Sequence, residues 1–199
     1  MNTLSQKKKY EKREFKLMNS KLYHNIIKNG NENEVDIPYE NIEGDKLSYK
    51  TINNAILIIS IVLYVIAIGT FIAKFIIKDV EPFAYVIWFA LATLLLIPYW
   101  NSKRNYWKIK LSDNNSIYFH KNIPDEQTVN KFLENLIIKR NNYLIKNYGE
   151  IDENLDYKSQ LENLKWLRNI SVITEEHFEI KHKELKQLFT PDKNNIGFK

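Results

Sequence analysis

Residues 55–100 read AILIISIVLYVIAIGTFIAKFIIKDVEPFAYVIWFALATLLLIPYW, and the reading of that stretch decides the fold. From Ala55 to Ala73 there is no charge, Lys74 follows, and Phe75, Ile76 and Ile77 extend the run by another turn. At about 1.5 Å per residue, the run ending at Ile77 reaches roughly 34 Å, enough to cross a hydrocarbon core of about 30 Å with some tilt. A second uncharged run, Phe83 to Trp100, lies near the lower length limit for a span. A buried helix of a soluble protein normally keeps a polar stripe, whereas here apolar side chains cover every face. The reading is therefore a transmembrane helix over 52–77 and a second over 83–100. The first run begins far from Met1 and lacks a small-residue cleavage site, which argues against a signal peptide. Lys74, one turn from the end of its run, can snorkel to the interface.

Only Lys78, Asp79, Val80, Glu81 and Pro82 separate the two runs, so the helices are expected to be antiparallel neighbours with both termini on one side. Lys50 precedes the first span, and NSKRNYWKIK after the second holds basic residues and no acid. The connecting turn nets one negative charge, from Lys78 against Asp79 and Glu81. Excess Lys and Arg marks the cytoplasmic face. Tyr99, Trp100, Tyr106 and Trp107 fit an aromatic belt there, and each fits a packing role equally well.

Outside the spans the chain reads as soluble α+β. Residues 1–13, with KKKYEKR, read as a basic tail, either lying on anionic lipid or solvated, and the lack of an apolar face favours the solvated reading. From Glu14 the pattern has period two through Phe15 and Leu17, continues over Lys21–Lys28, turns at Asn29-Gly30-Asn31, and resumes at Val35, Ile37 and Tyr39. Gly44-Asp45 reads as a further turn before Lys46–Lys50. After the spans Trp107, Ile109 and Leu111 share a strand face, Ser112–Asn115 turn, and Ser116–Lys121 form another strand. Pro124, Asp125 and Glu126 open a helix whose stripe is Val129, Phe132, Leu133, Leu136, Ile137, Tyr143 and Leu144, with Gly149 as its stop. Neither half buries much alone, so residues 14–51 and 101–149 are expected to form one split domain around the membrane hairpin.

With DIPYENIEGDKLSYK before the spans and IYFHKNIPDEQTVNKFLENL after them, this order of strands and a closing amphipathic helix resembles the bacterial pleckstrin-homology-like (PH-like) domains. The resemblance implies a binding or scaffolding module rather than an enzyme. The segment YKSQLENLKWLRNISVITEEHFEIKHKELKQLF, within 157–190, resembles the short C-terminal (SHOCT) domain of bacterial proteins. Leu161, Leu164 and Leu167 match its first helix. Ile173, Thr174, Glu175, Glu176 and Phe178 match the turn and second start, and Leu185 and Leu188 the second apolar face. Ser171 stands where that family usually has glycine. Thr174 can cap the second helix, and Thr190-Pro191 can end it before a tail over 191–199. The six apolar positions Leu161, Leu164, Leu167, Phe178, Leu185 and Leu188 need cover from the rest of the protein, a second copy or a partner, so an interaction surface and a small capping hairpin are both open readings.

The chain has no cysteine, which excludes thiolate catalysis, disulfides and thiolate metal sites, and its five glycines form no phosphate loop or dinucleotide fingerprint. His177 and His182 fall on different faces of their helix, His24 and His120 are isolated, and Glu32, Glu34 and Asp36 alternate along a solvated strand face. No catalytic, cofactor or metal residues are expected. A net charge of +5 is explained by membrane flanks rather than nucleic acid. The abundance of Asn, Ile and Lys, with both resemblances, implies a bacterial inner membrane. The expected function is a membrane-anchored scaffold or regulatory protein. The alternatives are an anionic-lipid sensor using Lys103, Arg104, Lys108 and Lys110, and an accessory subunit of a membrane enzyme or transporter.

Overall fold

Asn29 and Gly30 both take positive φ, 52° and 84°, the pairing that a two-residue primed hairpin turn requires. In the computed structural model, which describes residues 1–77, 81 and 83–189, that turn joins β3 (Lys21–Lys28) to β4 (Asn31–Pro38). Ahead of them run β1 (Thr3–Lys8) and β2 (Glu11–Leu17), and the four strands form an antiparallel sheet in chain order. A 3-10 turn at Tyr39–Asn41 leads into β5 (Ile42–Thr51), which belongs to a second sheet with β6 (Arg104–Leu111) and β7 (Ser116–His120), in the order β5-β6-β7. Between β5 and β6 lie α1 (Asn54–Ile76) and α2 (Ala84–Ser102). After β7 come α3 (Glu126–Tyr148), α4 (Tyr157–Asn169) and α5 (Glu175–Phe189). The architecture is α+β with antiparallel sheets.

The chain separates into two compact units. One holds residues up to Leu47 and those from Trp107 onward, and the other holds Ser48–Tyr106.

In the first unit a single core draws on both segments. Leu4, Phe15, Leu17 and Leu22 of the four-stranded sheet meet Ile109, Ile117 and Phe119 of the other sheet and Val129, Phe132, Leu133 and Leu136 of α3. Phe15 stands 4.3 Å from Phe119 and 6.3 Å from Phe132, centroid to centroid. Each fully buried side chain of this size contributes about 2 kcal/mol. α3 supplies its stripe because Asp125 caps it, accepting from the Thr128 N–H at 2.8 Å, and Gly149 ends it.

Two sequence expectations are corrected here. Residues 1–13 are not a solvated tail: residues 3–8 pair with β2 from Thr3↔Lys16 to Lys8↔Glu11, and Leu4 and Gln6 are buried. β1 holds its place by backbone pairing and one polar side chain, so it shows no apolar period. Gly44-Asp45 is not a turn either, because β5 runs through it. The glycine sits where an added Cβ would meet Arg140 Nη1 at 3.5 Å and the Ile170 carbonyl at 3.6 Å.

α4 and α5 form a hairpin. Gln160 is buried and ties the preceding loop down, accepting from the Asp152 N–H at 2.9 Å and donating to the carbonyls of Asp152 (2.8 Å) and Leu155 (3.0 Å). α4 ends in a Schellman turn: the Ser171 N–H donates to Arg168 O at 3.0 Å and the Val172 N–H to Leu167 O at 2.9 Å, while Val172 packs with Leu167. Ser171 takes φ 58°, the left-handed conformation that costs a non-glycine residue about 1 kcal/mol. Ser171→Gly is therefore expected to stabilise the hairpin by about 1 kcal/mol, read as slower amide exchange over α4 and α5. Unchanged exchange would mean that the serine conformation carries no strain.

In the second unit α1 and α2 lie antiparallel, as contacts that close in from both ends demonstrate. The Asn53 N–H donates to Ser102 Oγ at 3.1 Å, Ser60 Oγ donates to Ala92 O at 2.9 Å, Tyr64 Oη meets Thr93 Oγ1 at 2.9 Å, and the rings of Phe71 and Tyr85 are 5.2 Å apart. Ser60, Ala67 and Ala92 are the buried positions, small enough to let the helices approach. The other faces carry exposed Ile58, Val65, Ile68, Leu94 and Ile97. Both helices are long and apolar enough to cross a membrane. The connecting turn at Lys78–Pro82, apart from Glu81, lies outside the described residues, as do Thr190-Pro191 and the tail 191–199.

Candidate functional site

β5 is the end strand of its sheet, and no strand among the described residues pairs with its outer edge. An unpaired edge is a template for another extended chain. Beside it, α3 carries more apolar surface than the core uses. Leu133 and Leu136 point inward, whereas Ile137 is half-buried and Ile138 is 57% exposed. Leu133, Ile137 and Ile138 of α3 and Ile109 of β6 line a groove of about 430 Å³, with Lys46 of β5 and Glu134 of α3 at its rim.

Lys46 is held in place rather than freely solvated. Its Nζ donates to Asn130 Oδ1 at 3.3 Å and lies 4.2 Å from the centroid of the Trp107 ring, over which Lys121 Nζ also stands at 3.7 Å. Two ammonium groups on one indole fix the ring, each such contact contributing about 0.5–1 kcal/mol near the surface. Trp107 belongs to this unit, where it packs against the core. A groove with aliphatic walls and a charged rim, beside the end strand of a sheet, has room for an extended peptide that places an apolar side chain against Ile137 and Ile138.

The same helix buries a charge. Arg140 is fully buried: Nη1 donates to Asn141 Oδ1 at 2.8 Å, while Nε and Nη2 have no partner among the described residues. Burial draws its pKa below the ordinary guanidinium value, partly offset by Asp45 and Glu43. Replacing a poorly satisfied buried charge by an apolar residue of similar length relieves desolvation. Arg140→Met is expected to stabilise the first unit by about 2 kcal/mol in urea titration of the detergent-solubilised protein. Loss of stability would mean that the guanidinium makes an indispensable contact.

The residues expected from sequence fall into two groups. Lys103 is exposed, with Nζ 5.3 Å from the Tyr99 ring, and Arg104 Nη1 donates to Tyr106 Oη at 3.2 Å. Lys108 and Lys110 alternate along β6 with Trp107, Ile109 and Leu111, and Lys110 is exposed. In the second group most of the apolar positions are covered within the chain. Leu164, Phe178 and Leu185 are buried in a cluster with Ile151, Tyr157, Leu161 and Ile173, and Leu167 is buried with Leu144 and Val172. The chain itself covers these four: the hairpin closes on its own apolar faces, and α4 packs on α3 with Trp166 edge-on to Tyr148 at 5.2 Å. Leu161 is half-buried and Leu188 is exposed.

Sequence reasoning missed Ile138, Lys46 and Arg140. Arg140 lies four residues from both Leu136 and Leu144, so its place within the stripe was readable; Ile138 was visible as the apolar residue just outside it. No protein-family model, curated protein or solved structure matches the chain.

Proposed function

We propose that the chain is a membrane-anchored interaction protein. The hairpin of α1 and α2 enters the cytoplasmic membrane of a bacterium, and the first unit acts as a PH-like module with a SHOCT-like helical hairpin, offering a peptide-binding groove to partners on the cytoplasmic side. The observation that carries the anchor is the continuous apolar exposure of α1 and α2: each buries small residues against the other and leaves its large aliphatic side chains uncovered. Four strands, then three, then an amphipathic helix support the PH-like reading. The Schellman turn and the Thr174 hydroxyl accepting from the His177 N–H at 3.2 Å support the SHOCT-like one. Lys50, Lys103 and Arg104 beside the helices support cytoplasmic termini.

Two measurements test this. Reporter fusions at each terminus should both give a cytoplasmic signal and a fusion at Asp79 the opposite; a cytoplasmic signal at Asp79 or split termini would overturn the topology. A photo-crosslinking residue at Ile138 should capture a partner in cells that a crosslinker at exposed Ile180 of α5 does not. Equal capture from both positions would remove the groove from the proposal.

A further inference from the structure

The basic stretch KKKYEKR has no role in the groove, yet the fold concentrates part of it at one place. β1 and β2 are joined at Lys9 and Tyr10, where Lys9 takes φ 54° and Tyr10 is 82% exposed. The β3–β4 turn stands beside it: the Asn29 N–H donates to Tyr10 O at 3.2 Å, and Lys28 pairs across from Glu11. The two turns therefore form one tip. Lys7, Lys9 and Lys28 are exposed there, and no carboxylate among the described residues lies within ion-pair reach of them. The nearby acids are already engaged, Glu11 with Arg13 and Glu14 with Lys12.

The position of this tip within the unit gives it meaning. Gln6 donates to the carbonyls of His120 (2.8 Å) and Ile123 (2.5 Å), and Arg13 Nη1 to Tyr118 O at 2.5 Å, so the middle of the β1–β2 pair lies against β7 and the residues after it. Lys121, next in the chain, stands over Trp107, the residue at which the chain re-enters this unit. These contacts tie the strands that carry the tip to β7 and Trp107 within this unit.

We propose that the tip carrying Lys9 and Tyr10, with Lys7 and Lys28 on opposite faces of the sheet behind it, docks on the anionic-lipid surface of the membrane that α1 and α2 enter. The inference rests on the insertion proposed above. Three ammonium groups outside any ion pair among the described residues match an anionic leaflet in charge, and a projecting tyrosine suits the interface, with its ring among acyl chains and its hydroxyl wet. Close to such a surface, three lysines favour the docked state by roughly a hundredfold. That modest preference suffices for a unit already tethered at the bilayer, where the local lipid concentration is high.

The absence of cysteine makes the test clean. The full chain carrying Tyr10→Cys and a polarity-sensitive fluorophore is reconstituted into nanodiscs of phosphatidylcholine alone or with phosphatidylglycerol. In anionic discs the label is expected to shift to the blue and to be quenched by nitroxide-bearing lipid. Both signals should vanish in neutral discs, in 1 M salt where the Debye length falls to about 3 Å, and in the Lys7→Gln/Lys9→Gln/Lys28→Gln variant. A label equally wet in both disc types overturns the docking face while leaving the anchor intact, as does one protected by added oligonucleotide whatever the lipid. A chain that fails to enter discs at all overturns the anchor, and the docking face with it.

Discussion

Gln6→Leu is expected to destabilise the first unit by about 4 kcal/mol, although leucine is apolar, similar in size and placed in a buried position. Gln6 is only 1% exposed, and it satisfies three backbone groups across the two sheets: it accepts from the His120 N–H at 2.9 Å and donates to the carbonyls of His120 and Ile123 at 2.8 and 2.5 Å. Leucine would leave all three without those bonds in a site closed to water, at about 1–3 kcal/mol for each. The gain from burying an isobutyl group, about 2 kcal/mol, offsets part of that cost. Glutamate cannot rescue the site, because an ionised carboxylate accepts but donates nothing to two carbonyls. The measurement is urea unfolding of the solubilised chain, with amide exchange confirming which unit opens. A change below about 1 kcal/mol would mean that β1 is peripheral and its bonds are replaced by water.

The importance of Gln6 also explains why β1 was invisible in the sequence. Strand periodicity is read from alternating apolar residues, and TLSQKK offers only Leu4. Its second inward position is filled by a glutamine that works through hydrogen bonds, which leave no hydropathy signal. Gly44 misleads differently: it resembles a turn glycine, yet it is a strand residue with the Arg140 guanidinium and the Ile170 carbonyl close by.

What was legible rests on strong local physics: the uncharged runs of α1 and α2, the Asn29-Gly30 turn with both residues at positive φ, the α3 stripe behind its Asp125 cap, and the Thr174 cap of α5. The hairpin leucines lie between these cases. Their amphipathic spacing gave the two helices, but no sequence pattern says which surface covers an apolar face. Here the cover is α3 and the hairpin itself, so the exposed groove had to be found elsewhere, at Ile137 and Ile138, where the α3 stripe outruns the sheet.

His24 makes the stability of the first unit depend on pH in a defined window. In β3 it is buried, pairs in register with Phe15, and stacks on that ring at 4.4 Å with 9° between planes. Burial, reinforced by the nearby Arg13 guanidinium, lowers its pKa to about 4. The unfolded chain has the ordinary value of about 6.5, so between these limits it binds a proton that the folded unit refuses. The contribution of neutral His24 is fully present above about pH 6.5, falls as pH is lowered, and is lost by about pH 4, a total of about 3 kcal/mol. His24→Phe keeps a flat ring on Phe15 and removes the titration. Comparing urea midpoints at pH 7 and 4.5, the native chain should lose about 2.5 kcal/mol more than the variant, most of the full swing. Subtracting the variant cancels the other groups that titrate in this range. Parallel pH dependence in the two proteins would mean that His24 accepts its proton in the folded state, with the stack opening to admit water.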